Sequence, residues 1–100
     1  MDKKELNFIL QEGEGQFVEF KESLGNLDKE MVAFANSSGG RIFIGIDDKC
    51  NAKGVEINNK LKSQIQDIAR NCDPVVKLNF EIFENLLIVN VTEGKDKPYS

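Results

Sequence analysis

Phe17-Val18-Glu19-Phe20-Lys21-Glu22-Ser23 opens a run that continues through Ala33-Phe34-Ala35-Asn36-Ser37-Ser38-Gly39-Gly40 to Arg41-Ile42-Phe43-Ile44-Gly45-Ile46-Asp47-Asp48. Between Phe17 and Glu22, Val18 and Phe20 point one way and Phe17, Glu19 and Lys21 the other, the period of a half-buried strand. From Asn26 the period changes. Leu27, Met31, Phe34, Ala35 and Ser38 fall on one helical stripe, with Asn26 available as a cap and Gly39-Gly40 as the stop. Gly39 reads as a left-handed C-cap. Ile42 to Ile46 is a nearly unbroken apolar run between Gly-Gly and Asp-Asp, as in a central strand covered on both faces. Gly45 inside it marks close approach of another backbone or of a ligand.

Working outward, Leu6, Ile9 and Leu10 recur at helical spacing, which predicts a short helix over residues 3–11 ended by Gly13 and Gly15. Residues 47–54 form a polar turn. Leu61, Ile65, Ile68, Ala69 and Cys72 predict a helix over 58–72, terminated at Asp73-Pro74 because proline disfavours helical geometry in the residue before it. The last two strands can be registered. With Glu84-Asn85 as a two-residue turn, Phe83 pairs with Leu86, Ile82 with Leu87, Phe80 with Val89 and Leu78 with Val91, so apolar meets apolar throughout. The expected fold is α+β: a two-layer sandwich with a mixed four-stranded sheet in the order β-α-β-α-β-β, an extra N-terminal helix, and the helices on one face.

One hundred residues suffice for one core and no more, so residues 1–100 are expected to form a single domain. No apolar run approaches the roughly 18 to 20 residues of a membrane span, and the first residues do not form a signal peptide, so no membrane partner and a cytoplasmic location are expected. Cys50 and Cys72, without any histidine, make neither a disulfide scaffold nor a zinc site. The net charge is −4, which argues against wholesale coating of a phosphate backbone. The charge is split, however. Residues 1–48 carry five basic and ten acidic side chains, and residues 49–100 carry eight and seven. A polyanion must therefore meet the second half, or a metal.

Glu14, Glu19 and Asp48 stand near the ends of neighbouring strands, where three carboxylates can converge. Like charges that close are costly unless protonated or neutralised. Mg²⁺ and Mn²⁺ suit oxygen-only sites and can activate water for attack on a phosphodiester. The plainer alternative for Glu14, Glu19 and Lys21 is a solvated strand face with an ordinary ion pair, and for Asp47 or Asp48 a loop cap. Gly39-Gly40 is no ATP loop: the glycines follow a helix, lead into a strand, and lack the Lys-Ser or Lys-Thr of a P-loop. The amide of Asn36 is expected to tie the strand-helix junction together. Lys21, Arg41, Lys49 and Lys53 border the acidic loops, with no basic run and no aromatic stacking platform. Phe17, Phe83, Leu86 and Ile88 offer an apolar sheet face for a homodimer.

The motif Glu-x4-Glu-Phe-Lys at Glu14, Glu19, Phe20 and Lys21, followed by the buried strand and Asp48, resembles the small domain of Schlafen proteins and of prokaryotic transcriptional regulators with an AlbA-like DNA-binding domain. The resemblance covers nearly the whole chain. It implies the β-α-β-α-β-β order and nucleic-acid binding, DNA in preference to RNA, through Lys21, Arg41, Lys49 and Lys53 with backbone amides near Gly39, Gly40 and Gly54. In vertebrate Schlafen proteins the matching acids form a metal-dependent ribonuclease site. By that likeness Glu14, Glu19 and Asp48 would be metal ligands, and Lys21 would stabilise charge on the phosphate. Those nucleases clamp substrate between two lobes, and this chain has one. The family continues beyond a similar Lys-Pro-aromatic step, so the likeness implies that the domain is cut from a longer chain. Asp48 beside Glu19, flanked by lysines, is the geometric expectation on which these roles depend.

Overall fold

A computed structural model describes residues 1–100. The elements in chain order are α1 (Lys3–Glu12), β1 (Val18–Lys21), α2 (Leu27–Asn36), β2 (Gly40–Ile44), α3 (Asn59–Arg70), β3 (Leu78–Phe83) and β4 (Leu86–Val91). The strands form one sheet in the order β1-β2-β4-β3, with β1 parallel to β2 and the other neighbours antiparallel. This is the expected mixed four-stranded α+β fold. The β3–β4 hairpin adopts the register derived from its turn, Phe83 opposite Leu86 through Leu78 opposite Val91.

Local chemistry explains the element ends. The Asp2 carboxylate accepts from the Glu5 N–H at 2.8 Å and the Asn58 side chain from the Leu61 N–H at 2.8 Å, so each satisfies an orphan donor of a first helical turn. Asn26 behaves differently from expectation. It precedes α2 in a left-handed conformation (φ 60°) and its side chain makes no capping bond; asparagine tolerates that conformation better than most residues. Gly39 (φ 80°) is left-handed as expected, and its N–H donates to the Phe34 carbonyl at 2.9 Å to close α2.

The sheet is apolar on both sides. Ile42, Ile44, Leu87, Val89 and Val91 pack beneath α2 and α3 with Leu27, Met31, Phe34, Ile65 and Ala69. Phe20, Phe43, Leu86 and Ile88 face the other way and are covered by Leu6 and Ile9 of α1. The helices are thus not all on one face. Strands β2 and β4 alternate one apolar residue with another, so both faces need cover, and α1 supplies a third layer over the second. This removes the expected dimer face: Leu86 and Ile88 are fully buried within the chain, although Phe17 remains exposed.

The end of the chain is part of the core. Tyr99 is buried in the α2–α3 layer, and Asn36 grips its main chain twice, accepting from the Tyr99 N–H at 2.6 Å and donating to its carbonyl at 3.0 Å. Asp73 and Ser100 exchange two backbone hydrogen bonds alongside. The Asn36 amide does tie a junction, but its partner lies 63 residues away. No helix is long and apolar enough to cross a membrane.

Candidate nucleic-acid interface

The parallel pairing of β1 with β2 sets Lys21 opposite Ile44, so both strands end at the same side of the molecule. Beyond Ile44 the chain passes through Gly45 (φ 114°) and Ile46 into Asp47 and Asp48. A side chain at Gly45 would sit 2.9 Å from the Gly54 backbone, and the Gly54 N–H donates to the Gly45 carbonyl at 2.8 Å. The close approach expected at Gly45 is therefore that of its own loop. The result is an open cleft of about 350 Å³, lined by Glu14, Glu19, Lys21, Asp47, Asp48 and Cys50 among others.

Of the two aspartates, Asp47 is the loop cap. It is buried, and its carboxylate accepts from the backbone N–H groups of Lys49 and Asn51, both at 2.9 Å, and from the Asn51 amide at 3.4 Å. The Lys53 ammonium adds an ion pair at 3.4 Å. These donors, the Asn51 backbone foremost, hold the Asp47 carboxyl below its ordinary pKa. Asp48, next in sequence, points to solvent.

The glutamates form a different pair. The N–H of Phe20 points out of the sheet from the edge strand β1, and the Glu14 carboxylate accepts it at 2.9 Å. Glu14 also shares a hydrogen bond with Glu19. Partial burial, that shared bond and the charges of Glu30 and Glu14 push Glu19 up to about 7 against the opposing pull of Lys21. The arrangement suits one shared proton near neutrality. The charge of Glu30, on α2, also acts on Glu19, an influence that spacing along the sequence does not reveal.

Among the basic residues, the Lys21 ammonium donates to the Gly25 carbonyl at 2.6 Å and Lys53 is paired with Asp47. The exposed Lys49 side chain enters no ion pair. Arg41, Gly39 and Gly40 are elsewhere, at the start of β2 and so at the opposite end of that strand. Arg41 pairs with Glu5 at 3.2 Å and lies over the Phe43 ring at 5.5 Å. A side chain at Gly40 would press on the Phe34 ring, and one at Gly39 on the Val91 carbonyl, which accounts for both glycines by packing.

The acids are not gathered as a three-ligand metal set in this arrangement. No three of them stand close enough to share an ion: Glu14 is turned to the Phe20 N–H and to Glu19, Asp47 is saturated by its own loop, and Asp48 faces solvent. An oxygen-only Mg²⁺ site draws on one or two carboxylates together with water and substrate oxygens, and of these acids only Asp48 stands without a partner inside the fold.

Residues 14–100 match the family model described as Schlafen, AlbA_2. Among solved structures, the DIP2311 protein from Corynebacterium diphtheriae shares the fold over 97% of this chain, with a TM-score of 0.63 and 18% sequence identity. The chain spans about a quarter of that protein's length, 26%. No curated protein matches it.

Proposed function

The chain belongs to the Schlafen AlbA_2 family, and on that premise we propose that it is a nucleic-acid-binding module of a cytoplasmic transcriptional regulator, with DNA rather than RNA as its target. Contact is made at the cleft by Lys49, Lys53 and Lys21 against backbone phosphates. The observation that carries this reading is the exposed, unpaired Lys49, set in the chain between the cleft-lining Asp48 and Cys50, beside two acids, Asp47 and Glu19, whose charge is offset within the fold. Asp47 is surrounded by donors and Lys53, and Glu19 with Glu14 retains a proton near neutrality. A phosphate approaching the loop therefore meets less repulsion than the sequence count of acids implies. Arg41 with Gly39 and Gly40, at the far end of β2, can serve only a separate stretch of the same polymer.

With Lys49 free, Lys21 tied to a carbonyl and Lys53 paired with Asp47, binding is weak, salt-sensitive and poor in sequence selectivity. The variant K49E tests it, because that side chain supports no contact within the fold. Gel-shift affinity at low salt should fall about tenfold, and the dependence of log K on log salt should flatten by about one phosphate contact. Unchanged affinity and slope in a folded K49E protein would overturn the assignment.

A metal-dependent ribonuclease using Glu14, Glu19 and Asp48, with Lys21 beside them, is the second reading. The direct contact of Glu14 with Glu19 in the cleft favours it, and the lack of a third acid within reach weighs against it. Incubating the protein with structured RNA with and without Mn²⁺ separates the two. Metal-dependent cleavage that disappears in E19Q would promote the nuclease over the binding module.

A further inference from the structure

Strand β3 is the outer strand of the sheet on the side away from the cleft. Its hydrogen-bonding parity follows from the register. The Thr92 N–H donates to the Lys77 carbonyl at 3.0 Å, so Lys77, Asn79, Glu81 and Phe83 direct their main-chain groups towards β4. Leu78, Phe80 and Ile82 direct theirs outward, and none of these three N–H groups has a backbone partner beyond the hairpin. The strand has six residues, no proline and no charge on the apolar side. Leu78 and Phe80 pack only partly against the core, and Ile82 is 50% exposed. Natural edges of this length are normally blunted by lysine, proline or a bulge.

We propose that the β3 edge pairs antiparallel with the β3 edge of a second copy of this chain, centred on Phe80. A two-fold axis there sets Phe80 opposite Phe80 and Leu78 opposite Ile82 of the second copy, and all three are residues with outward-facing main-chain groups. Six backbone hydrogen bonds form. Moving the axis by one residue in either direction, to Asn79 or Glu81, loses bonds from this set, and the second of these shifts also sets Glu81 against its own copy.

The side chains agree with the centred register. On the apolar face Leu78, Phe80 and Ile82 continue the core into the second copy. On the other face Asn79 comes opposite Glu81 of the second copy. Within one chain the Asn79 carbonyl accepts from Asn90 at 2.9 Å, while its amide N–H₂ donates to nothing. Glu81 accepts from Asn90 at 3.3 Å and lies 3.6 Å from the N-terminal ammonium, with acceptor capacity to spare. A free donor thus faces a free acceptor twice across the axis. A strand of unrelated sequence would satisfy the backbone but not this pairing. The inference rests on the β3 edge alone and not on what the cleft binds.

The experiment is light scattering of the whole chain from about 1 μM to about 1 mM, the span in which an interface this small associates, combined with amide hydrogen exchange by NMR at both ends of the series. A concentration-dependent dimer is expected, with the Leu78, Phe80 and Ile82 N–H groups protected at high concentration and exchanging freely on dilution. In I82K each copy loses one contact, so a tenfold loss at each of two equivalent places weakens the dimer about 100-fold. Exchange behaviour in the wild type keeps the test valid even where I82K folds poorly. A monomer at every concentration overturns the proposal, as does a dimer whose protected amides lie outside β3, or a monomer that protects those amides only on adding an unrelated extended peptide.

Discussion

Replacing Glu19 by glutamine should stabilise the protein, and only above a defined pH. In the folded chain burial, the hydrogen bond with Glu14 and the neighbouring charges raise the Glu19 pKa from 4.5 to about 7. Below pH 4.5 both folded and unfolded chains carry the proton, and E19Q changes little. Between 4.5 and 7 the folded chain holds a proton that the unfolded chain has released, so folding loses ground as pH rises; above 7 the penalty is complete. At about 1.4 kcal/mol for each tenfold change in the proton equilibrium the ceiling is about 3.4 kcal/mol. Glu19 is only partly buried, so solvent screening brings the expected gain of E19Q at pH 8 down to about 1–2 kcal/mol. That corresponds to a rise in melting temperature of about 5–15 °C for a domain of this size. The glutamine N–H₂ can still donate to Glu14, which keeps the comparison clean. Urea unfolding of both proteins at pH 4, 6 and 8, with an NMR titration of the Glu19 carboxyl carbon, reads the effect. A wild-type-to-variant gap that does not change with pH, or a Glu19 that titrates near 4.5, would refute the reasoning. Asp47 acts in the opposite sense: its lowered pKa contributes stability above its ordinary value of 3.8, lost as the pH falls through the folded value.

Two further substitutions probe the frame around the cleft. N36A removes both hydrogen bonds to the Tyr99 main chain and should cost about 1–3 kcal/mol in urea unfolding, with faster amide exchange at Tyr99 and Ser100; an unaltered midpoint would mean that the clamp contributes nothing. G45A introduces a side chain at φ 114° against the Gly54 backbone at 2.9 Å, where no rotamer change can relieve it, and should destabilise by about 2–4 kcal/mol. A G45A protein as stable as wild type, judged by its melting temperature, would show that the loop relaxes freely.

The hairpin register was legible because its information is local: a two-residue turn and strict alternation leave one pairing in which apolar residues match. The β1-α2-β2 unit was legible for the same reason, through changes of period at Asn26 and Gly39. What escaped depended on contacts distant in sequence. Nothing near Leu6 or Ile9 says which sheet face they cover; the double-sided apolar pattern of β2 and β4 requires a cover on each face without saying that α1 supplies the second. The burial of Tyr99 depends on Asn36, 63 residues earlier in the chain. In the cleft, the adjacency of Glu14, Glu19 and Asp48 to one opening was legible from strand ends. The division of labour within it was not. That Asp47 caps its loop, that Lys21 is tied to Gly25 and that the charge of Glu30 acts on Glu19 are matters of side-chain direction, which spacing does not encode.

The carboxylate of Glu14 on the Phe20 amide, with Gly15 bridged to Val18 beside it, closes the margin of the sheet on the β1 side. A margin already occupied offers no template for another chain, whereas the opposite one is bare. Growth of such a sheet is therefore self-limiting: addition at the bare side leaves a particle with two stoppered ends, and the ladder has nowhere to propagate into a filament. Only a change that removed both the Glu14 plug and the Gly15–Val18 bridge would bare the second margin.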